Sequence, residues 1–195
     1  MREIHDRAFK EWAVACEAMI AGRQTILLRN GGIREENGTF QMNDREFFLI
    51  PTYDHQSPKL LKEPFVSDLA RIVNAGYDAK NLLISAYAAV DTVAVVEDEH
   101  RLRELRHEHI WNDDYVRMRL DFNPYDPLYV VLLRVYRLGE PVSIPMRPEY
   151  GGCKSWVTLE QPLSTASAIA AIPDEEYARR RAAVLGIISP ASVLC

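Results

Sequence analysis

Residues 128–138 read LYVVLLRVYRL. Val130, Val131 and Val135, with Tyr129 and Tyr136, favour extended backbone, because branched and aromatic side chains pack well on a pleated surface. The run predicts a long buried strand. One residue breaks its apolar character. By strand alternation Arg134 shares a face with Leu128, Val130, Leu132 and Tyr136. A charge in such a row must be paired or stand at a site, so a carboxylate partner for Arg134 is expected.

Working outward, Asn123-Pro124 and Asp126-Pro127 mark a turn before this strand. Pro141, Pro145 and Pro148 after it suggest an extended edge segment rather than a central strand. Upstream, Asn81–Val96 is apolar throughout, and its β-branched second half reads as a central strand. Glu46–Thr52 (EFFLIPT), Gln24–Arg29 and Cys153–Leu159 read as further strands. Asn37-Gly38, between Ile33–Glu36 and Thr39–Met42, is a strong hairpin signal.

Helical periodicity appears at residues 6–20, where Phe9, Trp12, Ala13, Cys16 and Ile20 line one face before Gly22. Pro64 opens a second helix with Phe65, Leu69, Ile72 and Val73 as its buried stripe and Gly76 as its end. Residues 97–106 form a short charged helix over Leu102 and Leu105. Asn112 caps a helix that starts with Asp113 and Asp114 and carries Tyr115 to Leu120. Pro173 and Asp174 open the last helix, which reaches Leu185 and stops at Gly186. Helices and strands mix without regular βαβ alternation. The expected fold is therefore α+β, with one domain over residues 1–186 and a mixed, largely antiparallel sheet flanked by helices. Residues 187–195 form an apolar tail expected to dock on the domain or on a partner.

The chain has 195 residues, is 48% hydrophobic and 26% charged, and carries a formal net charge of −5. That composition fills a core and argues against a broad basic surface for duplex DNA. No apolar run approaches the roughly 20 residues that span a bilayer. The N-terminus (MREIHDRAFKEW) has charges where a signal peptide needs an apolar region, so a cytoplasmic protein without a membrane partner is expected. Cys16, Cys153 and Cys195 lie far apart and form no CxxC pair, which supports neither a zinc site nor a disulfide framework.

Several segments together resemble a known family. They are FKEWAVAC (9–16), GRQTILLRNGG (22–32), REFFLIPTYDHQ (45–56), HIW (109–111) and YGGCKSWV (150–157). They are similar to an uncharacterised bacterial family, domain of unknown function 1802, over roughly residues 8–160. The resemblance implies a bacterial, soluble protein and assigns no residue a role.

The chemistry must therefore be sought in the residues. Asp54-His55-Gln56 follows a buried strand, and a carboxylate beside an imidazole can support acid–base work or metal binding. The same loop could instead use Asp54 and Gln56 to cap backbone groups. His107 and His109 share a face if extended. With Asp54 or His55 they would suffice for a metal, but no HExxH-like pattern supports one, and no metal is assigned. Arg117, Arg134 and Lys154 could hold an anion, with Tyr136 and Trp156 as stacking faces, an arrangement that suits a nucleotide or single-stranded nucleic acid. Arg134 in a buried ion pair is the competing reading. Cys153 after Gly151-Gly152 reads as a buried thiol rather than a nucleophile.

Two functions follow. In the first, Asp54, His55 and His109 are catalytic groups and Arg117, Arg134 and Lys154 hold the anion of a nucleotide or nucleic acid, with hydrolysis as the chemistry such groups could perform. In the second, the chain is a non-catalytic interaction module, as a homo-oligomer or with a protein partner, and these residues are structural. Convergence of Asp54, His55, His109 and Lys154 in one concave pocket separates the two.

Overall fold

The computed structural model describes residues 3–30, 44–96, 98–121, 127–152 and 154–188, with the backbone of Val193 and Leu194. The Asn37-Gly38 hairpin, the turn at 123–126, Cys153 and most of the C-terminal tail lie outside the described residues.

The architecture is α+β, built on a mixed, largely antiparallel sheet. Its centre is β4 (Asn81–Val95) against β5 (Leu128–Pro145), antiparallel from Leu82↔Ile144 to Val95↔Tyr129. Outside β5 lies β2 (Ile26–Asn30), in register at Ile26↔Leu132. On the other side of β4 lies β3 (Glu46–Thr52), antiparallel through Glu46↔Ala89. Next to it, β1 (Ile4–Trp12) runs parallel to β3 from Ala8↔Phe48 to Trp12↔Thr52. β6 (Trp156–Ser164) pairs antiparallel with β1 and ends the order β2-β5-β4-β3-β1-β6. Two short strands lie off this path: β7 (Ile169–Ala170) on β5 and β8 (Val193–Leu194) on β4.

The expected long strand is present and longer than read. β5 continues through Pro141 to Pro145, and there it pairs with β4 on one side. Proline cannot donate to a ladder, and this half of the strand has the open side that tolerates it.

The helix expected over residues 6–20 is corrected. Residues 4–12 are a strand, and only α1 (Ala13–Ile20) is helical. Partners on both sides, β3 and β6, override a helical spacing that Phe9 and Trp12 satisfy only by coincidence. Six of the eight residues of α1 are buried, so that helix has no polar face to reveal it. α2 (Glu63–Ala75) ends at Gly76, whose φ of 70° suits a residue without Cβ. Leu69 and Ile72 are buried as expected, whereas Val73 faces solvent at 61% exposure.

α3 (Glu99–Glu104) is followed by a 3-10 turn over Leu105–Glu108. α4 (Asp113–Leu120) is capped as expected, with Asn112 Oδ1 accepting from the Tyr115 N–H at 3.1 Å. α5 (Asp174–Ile187) runs through Gly186 rather than stopping at it.

Strand alternation sends neighbours to opposite faces. Phe47 joins the larger core with α1, α2, Trp111 and Tyr115. Phe48 joins a smaller core with Ala8, Ile50, Ile84, Tyr87 and Tyr150. No helix among the described residues is long and apolar enough to cross a membrane.

Candidate binding cleft

The parallel pair β1 and β3 ends side by side, at Trp12 and Thr52. The chain leaves β3 through Tyr53–Gln56. α2 delivers a second loop, Gly76–Lys80, to the start of β4, where the Met146 N–H donates to the Lys80 carbonyl at 2.8 Å. A third wall comes from Tyr150–Gly152 together with Lys154 and Ser155, just before β6. Between these three segments lies a cleft of about 650 Å³. Lys10, Trp12 and Ile50 contribute from the strand ends, and Leu82, Leu83 and Met146 from the β4–β5 side.

Each polar group there has an identifiable position. Gln56 turns inward, its Oε1 accepting from the Val14 N–H at the start of α1 at 3.1 Å. It takes the capping role, which leaves Asp54 and His55 exposed on the cleft. His55 has φ 61°, the one non-glycine at positive φ among the described residues. Histidine tolerates this region better than most side chains. Asp78 accepts from Asn81 Nδ2 at 2.7 Å and from the Lys80 N–H at 2.8 Å, and these bonds hold its carboxyl below the usual range.

Tyr53 and Tyr77 stack at 4.6 Å with an interplanar angle of 9°, and Tyr77 is 58% exposed. Ser155 Oγ accepts from Arg29 Nη2 at 2.6 Å, and Arg29 lies 3.6 Å from the buried carboxylate of Glu11. Lys154 is exposed and makes no ion pair among the described residues.

Of the residues singled out in the sequence, Asp54, His55 and Lys154 line this cleft. The others do not. The expected grouping of His109 with Asp54 and His55 is corrected: His109 is 3% exposed, and its Nδ1 accepts from the Trp111 N–H at 3.2 Å. Burial, aided by the Lys62 ammonium, pushes its pKa down to about 3, so the ring is neutral. Arg117 lies on the outer face of α4, 3.6 Å from Glu99 and 3.4 Å from Asp114.

Arg134 is buried and bonds Asp174 at 2.5 Å, with the Tyr177 ring 4.5 Å and the Tyr136 ring 5.9 Å from its guanidinium carbon. The carboxylate expected for Arg134 is therefore found, but Asp174 itself is 96% exposed. Tyr136 packs by the smaller core beside Tyr87. Trp156 sits edge-on to Phe9 and Phe47 under the Arg7 guanidinium. Neither ring lines the cleft. Among the described residues no three His, Cys, Asp or Glu side chains gather to hold a metal ion.

Lys10, Tyr53 and Tyr77 were missed as site residues. Lys10 was hidden by the helical reading of residues 6–20. No local signal singles out the tyrosines: the dipeptide Tyr-Asp occurs at 53–54 and 77–78 but also at 125–126.

Fold and cleft together define a single-sheet α+β protein with an open concavity at the end of its parallel strand pair. The chain belongs to the family described as Domain of unknown function (DUF1802), which matches residues 8–183. No curated protein matches it. Among solved structures it is similar to the ASCH protein of Zymomonas mobilis, at 13% identity and a TM-score of 0.44, covering 79% of this chain and 87% of that one. A point mutant of that ASCH protein gives 10% identity and a TM-score of 0.41, covering 93% and 98%.

Proposed function

We propose that the cleft binds a nucleotide, either free or within a single-stranded nucleic acid. The observation that carries this reading is the exposed Tyr77 ring, stacked on Tyr53, in the same cleft as Lys154, whose ammonium makes no ion pair among the described residues. A base offers a π-face whatever its sequence, and stacking on an aromatic side chain is worth about 1–3 kcal/mol per base. A phosphate needs a cation, and Lys154 is the exposed lysine on the cleft wall. Tyr53 backs Tyr77 and is itself packed against the core, so the platform is rigid before the ligand arrives.

Any proton transfer falls to His55. It combines exposure and a cleft position with an imidazole, which can both accept and donate a proton. Asp54 stands beside it. His109, Arg117, Arg134, Tyr136 and Trp156 take no part.

The test is a titration of mononucleotides and short single-stranded oligonucleotides at low salt. Wild type should bind, and added salt should weaken binding because the attraction to phosphate is largely ionic. Tyr77→Ala and Lys154→Ala should each weaken it. His55→Ala should leave binding nearly intact and abolish any turnover, since a general base acts in the transition state. Absence of binding by wild type at low salt would favour the interaction-module reading.

A further inference from the structure

We propose that Lys10 is a positioning residue, whose ammonium holds the loop Tyr150–Gly152 and through it places Lys154 against the cleft. The inference rests on the nucleotide-binding reading above. Lys10 Nζ donates to three successive carbonyl oxygens, of Tyr150 at 3.1 Å, Gly151 at 3.0 Å and Gly152 at 2.6 Å. Three carbonyls of one turn thus converge on an ammonium that has three protons to donate. Bonds from a charged donor are about twice as strong as neutral ones.

The two ends of this contact differ in rigidity by construction. Lys10 belongs to β1, which is flanked by β3 and β6, and its own N–H donates to the Ser155 carbonyl at 2.8 Å. The loop contains two adjacent glycines, which lose more backbone freedom on ordering than any other residue. Gly152 has φ 69°, and a Cβ on Gly151 would meet the Pro148 carbonyl at 3.2 Å. The turn's own bonds, from the Tyr150 and Gly151 N–H groups to the Arg147 and Pro148 carbonyls, order its start, and beyond Lys154 the Ser155 carbonyl accepts from the Lys10 N–H. Lys154 stands two residues beyond Gly152. Lys10 thus holds the chain on both sides of Lys154, its ammonium at the Gly152 carbonyl and its N–H at the Ser155 carbonyl, and loss of the ammonium frees one of the two.

Affinity for one short single-stranded oligonucleotide, measured against salt, tests the assignment. The proteins are wild type, Lys10→Met, Gly152→Ala, Lys154→Ala and the Lys10→Met/Lys154→Ala double variant. Methionine keeps the stem of Lys10 and drops its ammonium. Gly152→Ala strains the loop at positive φ with open space for its methyl group, and it changes no charge.

Lys10→Met and Gly152→Ala should each weaken binding about tenfold, because both undo preorganisation. Gly152→Ala should keep the wild-type salt slope. In the Lys154→Ala background, Lys10→Met should add less than about a twofold loss, the signature of two residues acting through one contact. A full second loss in the double variant would make Lys10 a direct ligand contact and overturn the assignment, as would unchanged affinity in Lys10→Met. If wild type binds no nucleotide, the reading of the cleft fails by itself. Amide hydrogen exchange then decides the clamp: Lys10→Met must speed exchange at Gly152 and Lys154 while β1 stays protected, and unchanged exchange overturns it.

Discussion

Two regions of this molecule gather charged side chains, and they use them in opposite ways. Where α5 docks on the sheet, the charges close on each other. Arg180 pairs with Glu108 at 2.7 Å, with both side chains under 15% exposed. The Thr25 hydroxyl donates to the same carboxylate, and Arg180 also donates to the Gly22 carbonyl. Asp91 is similar. Burial acts to raise its pKa, but bonds from Arg181, Thr92 and Tyr177 outweigh burial and hold it low. At the cleft, Lys154, Asp54 and His55 face open space instead. Charge satisfied inside the fold fixes architecture. Charge left facing a cavity is available to a ligand.

The comparison breaks first at the docking face if those charges prove dispensable. Arg180→Met leaves Glu108 buried without its cation and should cost about 3–5 kcal/mol, read by chemical denaturation. Oligonucleotide affinity of the surviving folded protein should not change.

The second-largest effect concerns pH. In the folded protein His109 stays neutral down to about 3, whereas unfolded it titrates near 6.5. Between those values the unfolded state binds the extra proton. His109 therefore supports stability above about 6.5, and that support drains away as pH falls toward 3. The full loss is on the order of 4 kcal/mol. His109→Asn retains an acceptor for the Trp111 N–H and should flatten this acid limb in thermal melts across pH.

Arg134 sharpens the comparison with a smaller effect. Its partner Asp174 is 96% exposed, so removing the guanidinium returns that carboxylate to water instead of stranding it. Arg134→Met should cost only about 1 kcal/mol in equilibrium unfolding, well short of the Arg180–Glu108 pair, whose two side chains are both largely shielded. A loss as large as that of Arg180→Met would mean that Asp174 is held in a drier setting than its exposure implies.

These contrasts also explain what the sequence disclosed. EFFLIPT, the second half of Asn81–Val96 and LYVVLLRVYRL were legible as strands because runs rich in branched and aromatic side chains have few other stable uses. β1 was not. It carries Lys10 and Glu11 at its end, just before Trp12, and Glu11 is 7% exposed beside Arg29, a partner eighteen residues away that no local pattern announces. Asp54, His55 and Lys154 were legible as site candidates because each follows or adjoins an apolar run on a loop. His109 looked equivalent. Yet it is 3% exposed, and its carbonyl accepts from the ammonium of Lys62, a partner 47 residues away that no local pattern announces.

The central claim is that the cleft charges serve a ligand and not the fold. Lys154→Ala tests it most directly, with stability and oligonucleotide affinity measured on the same preparation. The account predicts a change in unfolding free energy below about 0.5 kcal/mol, together with weaker binding and a salt slope shallower by about one phosphate contact. A variant that loses stability while binding as wild type does would contradict it.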